Sequence, residues 1–138
     1  QVMLYNNQSP STVALVVPNR DAIGAWLTRH HLPLPSGPDS AEPALRLLER
    51  EIADFRSGGE ASGLFPDRWL PSAIGVLDEP FTEQNRLLNT TLKMVRGKIS
   101  SAYAVRLEYL FTAEGRDVAN GPNRRAMAAL FAGPLPGA

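Results

Sequence analysis

Cysteine is missing from this chain. Its absence removes disulfides, thiolate nucleophiles and thiolate metal ligands together, and it is compatible with a cytoplasmic protein. Charge of one sign is lacking too. Fourteen basic and fourteen acidic side chains cancel, and no cluster of four or more like charges occurs. The long-range field that a nucleic-acid or anionic-membrane binder needs is therefore not there, and neither partner is expected. The apolar run Val13 to Val17 is far too short to cross a bilayer, and nothing at the start reads as a signal peptide. Histidine is scarce: His30 and His31 are adjacent, point in different directions at a helix end, and cannot share a metal at i, i+4 spacing. No nucleophile motif stands near them, so no Ser/His/Asp arrangement can be built. The glycines of Ser57 to Gly63 are not followed by Lys-Ser/Thr, so they make no phosphate cradle and read as a flexible linker. No metal site is expected. Asp78, Glu79 and Glu83 form a small acidic group that reads as solvated turn charges in preference to a Mg²⁺ site.

What is present fits one soluble domain. The chain has 138 residues, 43% of them hydrophobic and 20% charged, enough for a single core. It begins at Gln1 without a methionine and enters an apolar segment at once, which reads as a piece of a longer protein. Val2–Tyr5 and Val13–Val17 predict two strands around the polar turn Asn6–Pro10, a short N-terminal hairpin. Asn19 is placed to cap a helix whose Ile23, Trp26, Leu27 and His30 share one face, stopped at Leu32-Pro33. After a Pro/Gly/Ser loop, Ser40 is placed to cap a second helix with Pro43 in its first turn. Leu45, Leu48, Ile52 and Phe55 line its buried side, and Arg46, Glu49, Arg50 and Asp54 face water. A third strand is expected over Ser72–Leu77, a helix over Ile99–Phe111 with Tyr103, Leu107 and Leu110 at helical spacing, and a last helix over Pro122–Phe131 packed through Ala126, Met127 and Leu130. Residues 1–132 then form one unit and 133–138 a disordered tail. The fold class is α+β: a small three-stranded sheet packed with helices in two layers, plus the hairpin.

The stretch Glu79 to Arg96 carries the chemical information. Thr82 to Thr91 shows no sustained helical or strand period, whereas the residues after Arg96 do, so Lys93 sits at the tip or exit of an ordered loop. The succession Phe81-Thr82, Asn85, Leu87-Leu88 and Thr90-Thr91-Leu92-Lys93-Met94-Val95-Arg96 resembles the carboxy-terminal subdomain of AMP-forming acyl-CoA synthetases, the long-chain fatty acid ligases in particular. The resemblance covers roughly the first 110 residues and thins out afterwards.

That resemblance implies a part of an enzyme. In the family the loop lysine is swung onto the acyl-adenylate site of a much larger amino-terminal adenylation domain of the same chain. There a fatty acid, ATP and coenzyme A give acyl-CoA, AMP and pyrophosphate. ATP and Mg²⁺ are held mainly by the larger domain, coenzyme A is the co-substrate, and the isolated piece is inactive. Lys93 is the implied catalytic residue, because Arg96 stands three residues after it. Lys98, in Gly97-Lys98-Ile99, also matches the superfamily's Gly-Lys-aliphatic triplet but has Ser101 at the third position after it. Arg96, Thr90 and Asn85 are implied as support. Arg96 either holds the loop against an acidic residue or touches a phosphate, and Thr82, Asn85 and Thr90 brace the backbone. Tyr103, Tyr109 and Phe111 read as packing. Two positions depart from the pattern: Arg86 stands where the family usually has a glycine after the asparagine, and Asn89 where it often has a threonine. Leu92 stands where the wider superfamily has a glycine, which the long-chain branch commonly replaces, so it is no objection. Two other readings remain open here, an acyl-AMP ligase that serves a carrier protein and a stand-alone α+β interaction module.

Overall fold

The computed structural model describes residues 1–6, 8–9, 11–55, 59, 63–64 and 70–133. Most of the predicted Ser57–Gly63 linker, and the predicted tail after Gly133, lie outside the described residues. Strand β1 (Val2–Tyr5) pairs antiparallel with β2 (Val13–Val16), setting Met3 opposite Leu15 and Tyr5 opposite Val13. Strand β3 (Ala73–Val76) lies parallel to β2, with Val13 opposite Ala73 and Val16 opposite Val76. The sheet order is β1-β2-β3. This is the expected three-stranded α+β sheet with its N-terminal hairpin.

Period-two alternation divides the core. Met3, Val13, Leu15 and Ala73 point to one face. There they meet Ile99 of α3 (Arg96–Ala102) and Leu107 and Leu110 of α4 (Ala104–Leu110), together with Phe81 and Leu87. Gly75 shares this face, and a Cβ there would come within 3.1 Å of both Leu110 and Leu15. Ile74 and Val76 point to the other face, against α1 (Arg20–Arg29), α2 (Glu42–Ala53) and α6 (Gly121–Ala132) through Ile23, Leu27, Leu45 and Met127. Helices thus cover both faces of β2 and β3, one layer more than the two expected, because both residue parities of these strands are apolar. β1 is covered on one face only, and Val2 and Leu4 are exposed.

Local signals explain most boundaries. The Asn19 side chain accepts from the Ala22 amide and caps α1 as its position predicts. His30 departs from expectation: it ends α1 in an exposed position, its ring stacked on Trp26 at 3.9 Å and its Nδ1 2.9 Å from the Trp26 carbonyl oxygen. Ser40 does not cap α2. It closes a 3₁₀ turn, Pro38–Ser40, where its hydroxyl accepts from the Ser36 and Gly37 amides, and Ala41 precedes α2 without a side-chain cap. The helix expected over Ile99–Phe111 is two helices, interrupted at Tyr103 (φ −113°, ψ 25°). A further short helix, α5 (Ala113–Arg116), capped by Thr112, precedes α6.

The outer edge of β3 is closed by side chains. Asn123, fully buried on α6, accepts from the Val76 amide at 2.8 Å and donates to the Ile74 carbonyl at 2.8 Å, as a neighbouring strand would. Its Nδ2 also donates to the Val118 carbonyl. Arg106 of α4 donates to the Val76 carbonyl and to the Asn123 side-chain oxygen, both at 2.9 Å. Burial lowers the Arg106 pKa, with Arg125 acting in the same direction.

Candidate functional site: the Lys93 hairpin

The segment between β3 and α3 is built from its own hydrogen bonds. At its start, the Gln1 side chain pairs with the buried Phe81 backbone, donating to its carbonyl and accepting from its amide. Asn85 is the hub of the first turn. Its Oδ1 accepts from the Thr82 amide at 3.0 Å and the Leu87 amide at 3.1 Å, and its Nδ2 donates to the Pro80 carbonyl at 2.9 Å. The Thr82 hydroxyl accepts from the Asn85 amide in return. Arg86 closes this turn with φ 65°, in the left-handed region that costs a non-glycine residue about 1–2 kcal/mol.

A short hairpin follows. Leu88 and Met94 form an antiparallel bridge, and the Val95 amide donates to the Leu87 carbonyl at 2.8 Å. Leu87, Leu88 and Met94 all pack on the core beneath. Asn89 organises the loop above. Its amide donates to the Lys93 carbonyl, while its Oδ1 accepts from the Thr91 amide (2.9 Å), the Thr91 hydroxyl (2.8 Å) and the Lys93 amide (3.0 Å). Leu92 takes φ 61°. Lys93 emerges at the exit of this loop, exposed, with both backbone polar groups bonded to Asn89. Its ammonium has no hydrogen-bond or ion-pair partner among the described residues.

The other predicted support residues divide. Asn85 braces the backbone as its type suggests. Thr90 is exposed and its hydroxyl has no partner among the described residues, so Asn89 and Thr91 do the bracing at this end of the loop. Arg96 opens α3 and donates to the Leu4 carbonyl on the outer edge of β1, where an acidic residue or a phosphate was the expected partner. This bond ties the C-terminal side of the hairpin to the sheet. Lys98 lies exposed on α3. Lys93 and Lys98 are the chain's only two lysines, and no acidic residue occurs between Glu83 and Glu108.

Tyr103 is partly buried below this region. Burial pushes its phenol pKa up, and the Glu79 and Asp78 carboxylates add to the effect. Among the described residues no group of three or more His, Asp or Glu side chains could hold a metal ion, and no helix is long and apolar enough to cross a membrane. Asn89 as organiser was hidden in the sequence because its partners lie two and four residues on, in a loop with no period. Asn123 left a readable trace: it shares the i, i+3, i+4, i+7 face with Ala126, Met127 and Leu130, a polar residue on an apolar stripe. No family model, curated protein or solved structure matches the chain.

Proposed function

We propose that this chain is the mobile carboxy-terminal subdomain of a cytoplasmic, AMP-forming fatty acid:CoA ligase, and that it delivers Lys93 to the acyl-adenylate site of a larger amino-terminal domain. One observation carries the reading. The Lys93 backbone is pinned by Asn89 while its ammonium projects from the body without a partner among the described residues. A second observation supports it: of the two left-handed residues of the segment, Arg86 stands where the resembled family usually has glycine and Leu92 where the wider superfamily has it. The backbone keeps the turn geometry that glycine favours although the side chains differ.

Adenylation brings a fatty carboxylate against the α-phosphate of ATP, so like charges approach while negative charge grows on phosphorus oxygens. A lysine ammonium is compact enough to sit between the two oxyanions, whereas an arginine fork favours flat bidentate contacts. Its fixed base lowers the cost of placing it there, and closure of the subdomain excludes water from the reacting groups. ATP and Mg²⁺ belong mainly to the larger domain, and coenzyme A enters after adenylation.

In the full-length enzyme, Lys93→Ala slows fatty-acid-dependent pyrophosphate exchange by about 10²–10³ and spares thioester formation from preformed acyl adenylate. Arg125→Ala, exposed on α6 and distant in sequence from the loop, leaves the exchange rate within a few-fold. Equal losses of both half-reactions in Lys93→Ala would refute the assignment.

A further inference from the structure

The polar side chains of the hairpin region fall into two groups. Those of Thr82, Asn85, Asn89 and Thr91 are spent on the loop's own backbone and on each other. Those of Glu83, Gln84, Arg86, Thr90, Lys93 and Lys98 have no hydrogen-bond or ion-pair partner among the described residues, and four of them, Glu83, Arg86, Thr90 and Lys98, line one pocket of about 320 Å³. Its remaining lining is Leu88, Asn89 and Val95. That volume equals roughly ten liquid waters, enough for a diphosphate. Arg86 reaches this wall from a left-handed backbone, a conformation that concentrates at functional positions.

We propose that Arg86, Thr90 and Lys98 form an anion subsite for a diphosphate group, separate from Lys93, which does not line the pocket. The guanidinium offers paired donors, the ammonium a point charge and the hydroxyl a neutral donor, a combination suited to phosphate oxygens. Glu83 is the one acid in the wall. It leaves the pocket with a single net positive charge, so the subsite holds its anion weakly and releases it readily. The source of the diphosphate follows from the function proposed above and rests on it. On the loop that carries Lys93, the group is the β,γ-diphosphate of ATP, which departs as pyrophosphate. The phosphates of coenzyme A share the same chemistry.

The site itself is tested on this chain alone, by titrating inorganic pyrophosphate at low ionic strength and following amide resonances. The amides of Arg86, Thr90 and Lys98 shift in a saturable manner. Arg86→Gln/Lys98→Gln weakens binding by about tenfold or more, Glu83→Gln tightens it, and Arg116→Gln/Arg125→Gln, equal in charge change but outside the pocket, leaves it within two-fold. An absence of shifts at the three residues, or equal weakening by the two double variants, overturns the subsite. In the full-length enzyme, Arg86→Gln/Lys98→Gln raises KM for ATP and not for coenzyme A, and the reverse pattern overturns the assignment to the triphosphate tail. Should Lys93→Ala leave adenylation unchanged, the ligase reading fails while the pyrophosphate titration still decides the pocket.

Discussion

Asn89 gives the sharpest test of how the lysine is presented. Its side chain is used only as an acceptor: three donors converge on Oδ1, and Nδ2 has no partner among the described residues. Asn89→Ala deletes all three bonds. The side chain is exposed, so water recovers part of each, and the net loss is about 1–2 kcal/mol in place of the sum of three buried bonds. That corresponds to roughly 5- to 30-fold faster local opening, read by amide hydrogen exchange at Thr91 and Lys93. Asn89→Asp keeps the acceptor geometry and stays within about 0.5 kcal/mol of the native loop. The backbone pairing of Asn89 with Lys93 survives in both variants, so the two differ in the side-chain oxygen alone. Equal exchange rates at Thr91 and Lys93 in the alanine and aspartate variants would refute the claim that this oxygen fixes the loop. With adenylation as the function, the looser alanine loop also lowers the adenylation rate, by roughly tenfold for 1.4 kcal/mol of lost positioning.

Three further outcomes are expected. Asn123→Ala leaves the Val76 amide and the Ile74 and Val118 carbonyls unpaired in the core and costs about 3–5 kcal/mol, measured by urea unfolding; a loss under about 1 kcal/mol would show that the edge is satisfied without it. Tyr103 has a raised folded-state pKa, so the native state holds its proton longer than the unfolded chain. Its contribution is complete below about pH 10 and is lost as pH rises through the higher folded value. Thermal melts between pH 8 and 11 should show a decline in stability that Tyr103→Phe makes shallower, and an unchanged slope would contradict this. Leu92→Gly relieves the left-handed backbone but adds unfolded-state freedom, giving a change between zero and about 1 kcal/mol of stabilisation in denaturant unfolding; a destabilisation beyond 1 kcal/mol would mean that the exposed leucine side chain makes contacts that matter.

The parts of the fold legible in the sequence are those set by neighbours in the chain. Asn19 and the Ile23/Leu27 face specify α1 within a few residues, and the two apolar runs Val2–Tyr5 and Val13–Val17 on either side of the polar turn Asn6–Pro10 specify the hairpin. Ser40 shows the limit: it has a capping side chain, but Ser36 and Gly37 compete for the same hydroxyl and win. The break at Tyr103 is equally invisible to periodicity, because Ile99, Leu107 and Leu110 keep their spacing across it and only the backbone angles change. At the candidate site, the lack of period before Arg96 marked Lys93 as an exposed loop residue, and turn chemistry marked Asn85 as a brace of the backbone. The bond from Arg96 to Leu4 spans 92 residues, and no local rule reaches that far.

That long-range bond changes how motion at Lys93 must be pictured. A lysine on a slack loop would search its own volume, but here the strand margin holds one side of the hairpin, and the buried Leu87 with the partly buried Leu88 seats the other. Among the described residues the ammonium is therefore joined to a braced backbone through its own methylene stem, and if the chain moves as the proposed function requires, it moves with the whole body. With the proposed ligase function, substitutions in the connection to the larger domain, however far from position 93, would alter the timing of charge delivery as strongly as changes beside the lysine itself.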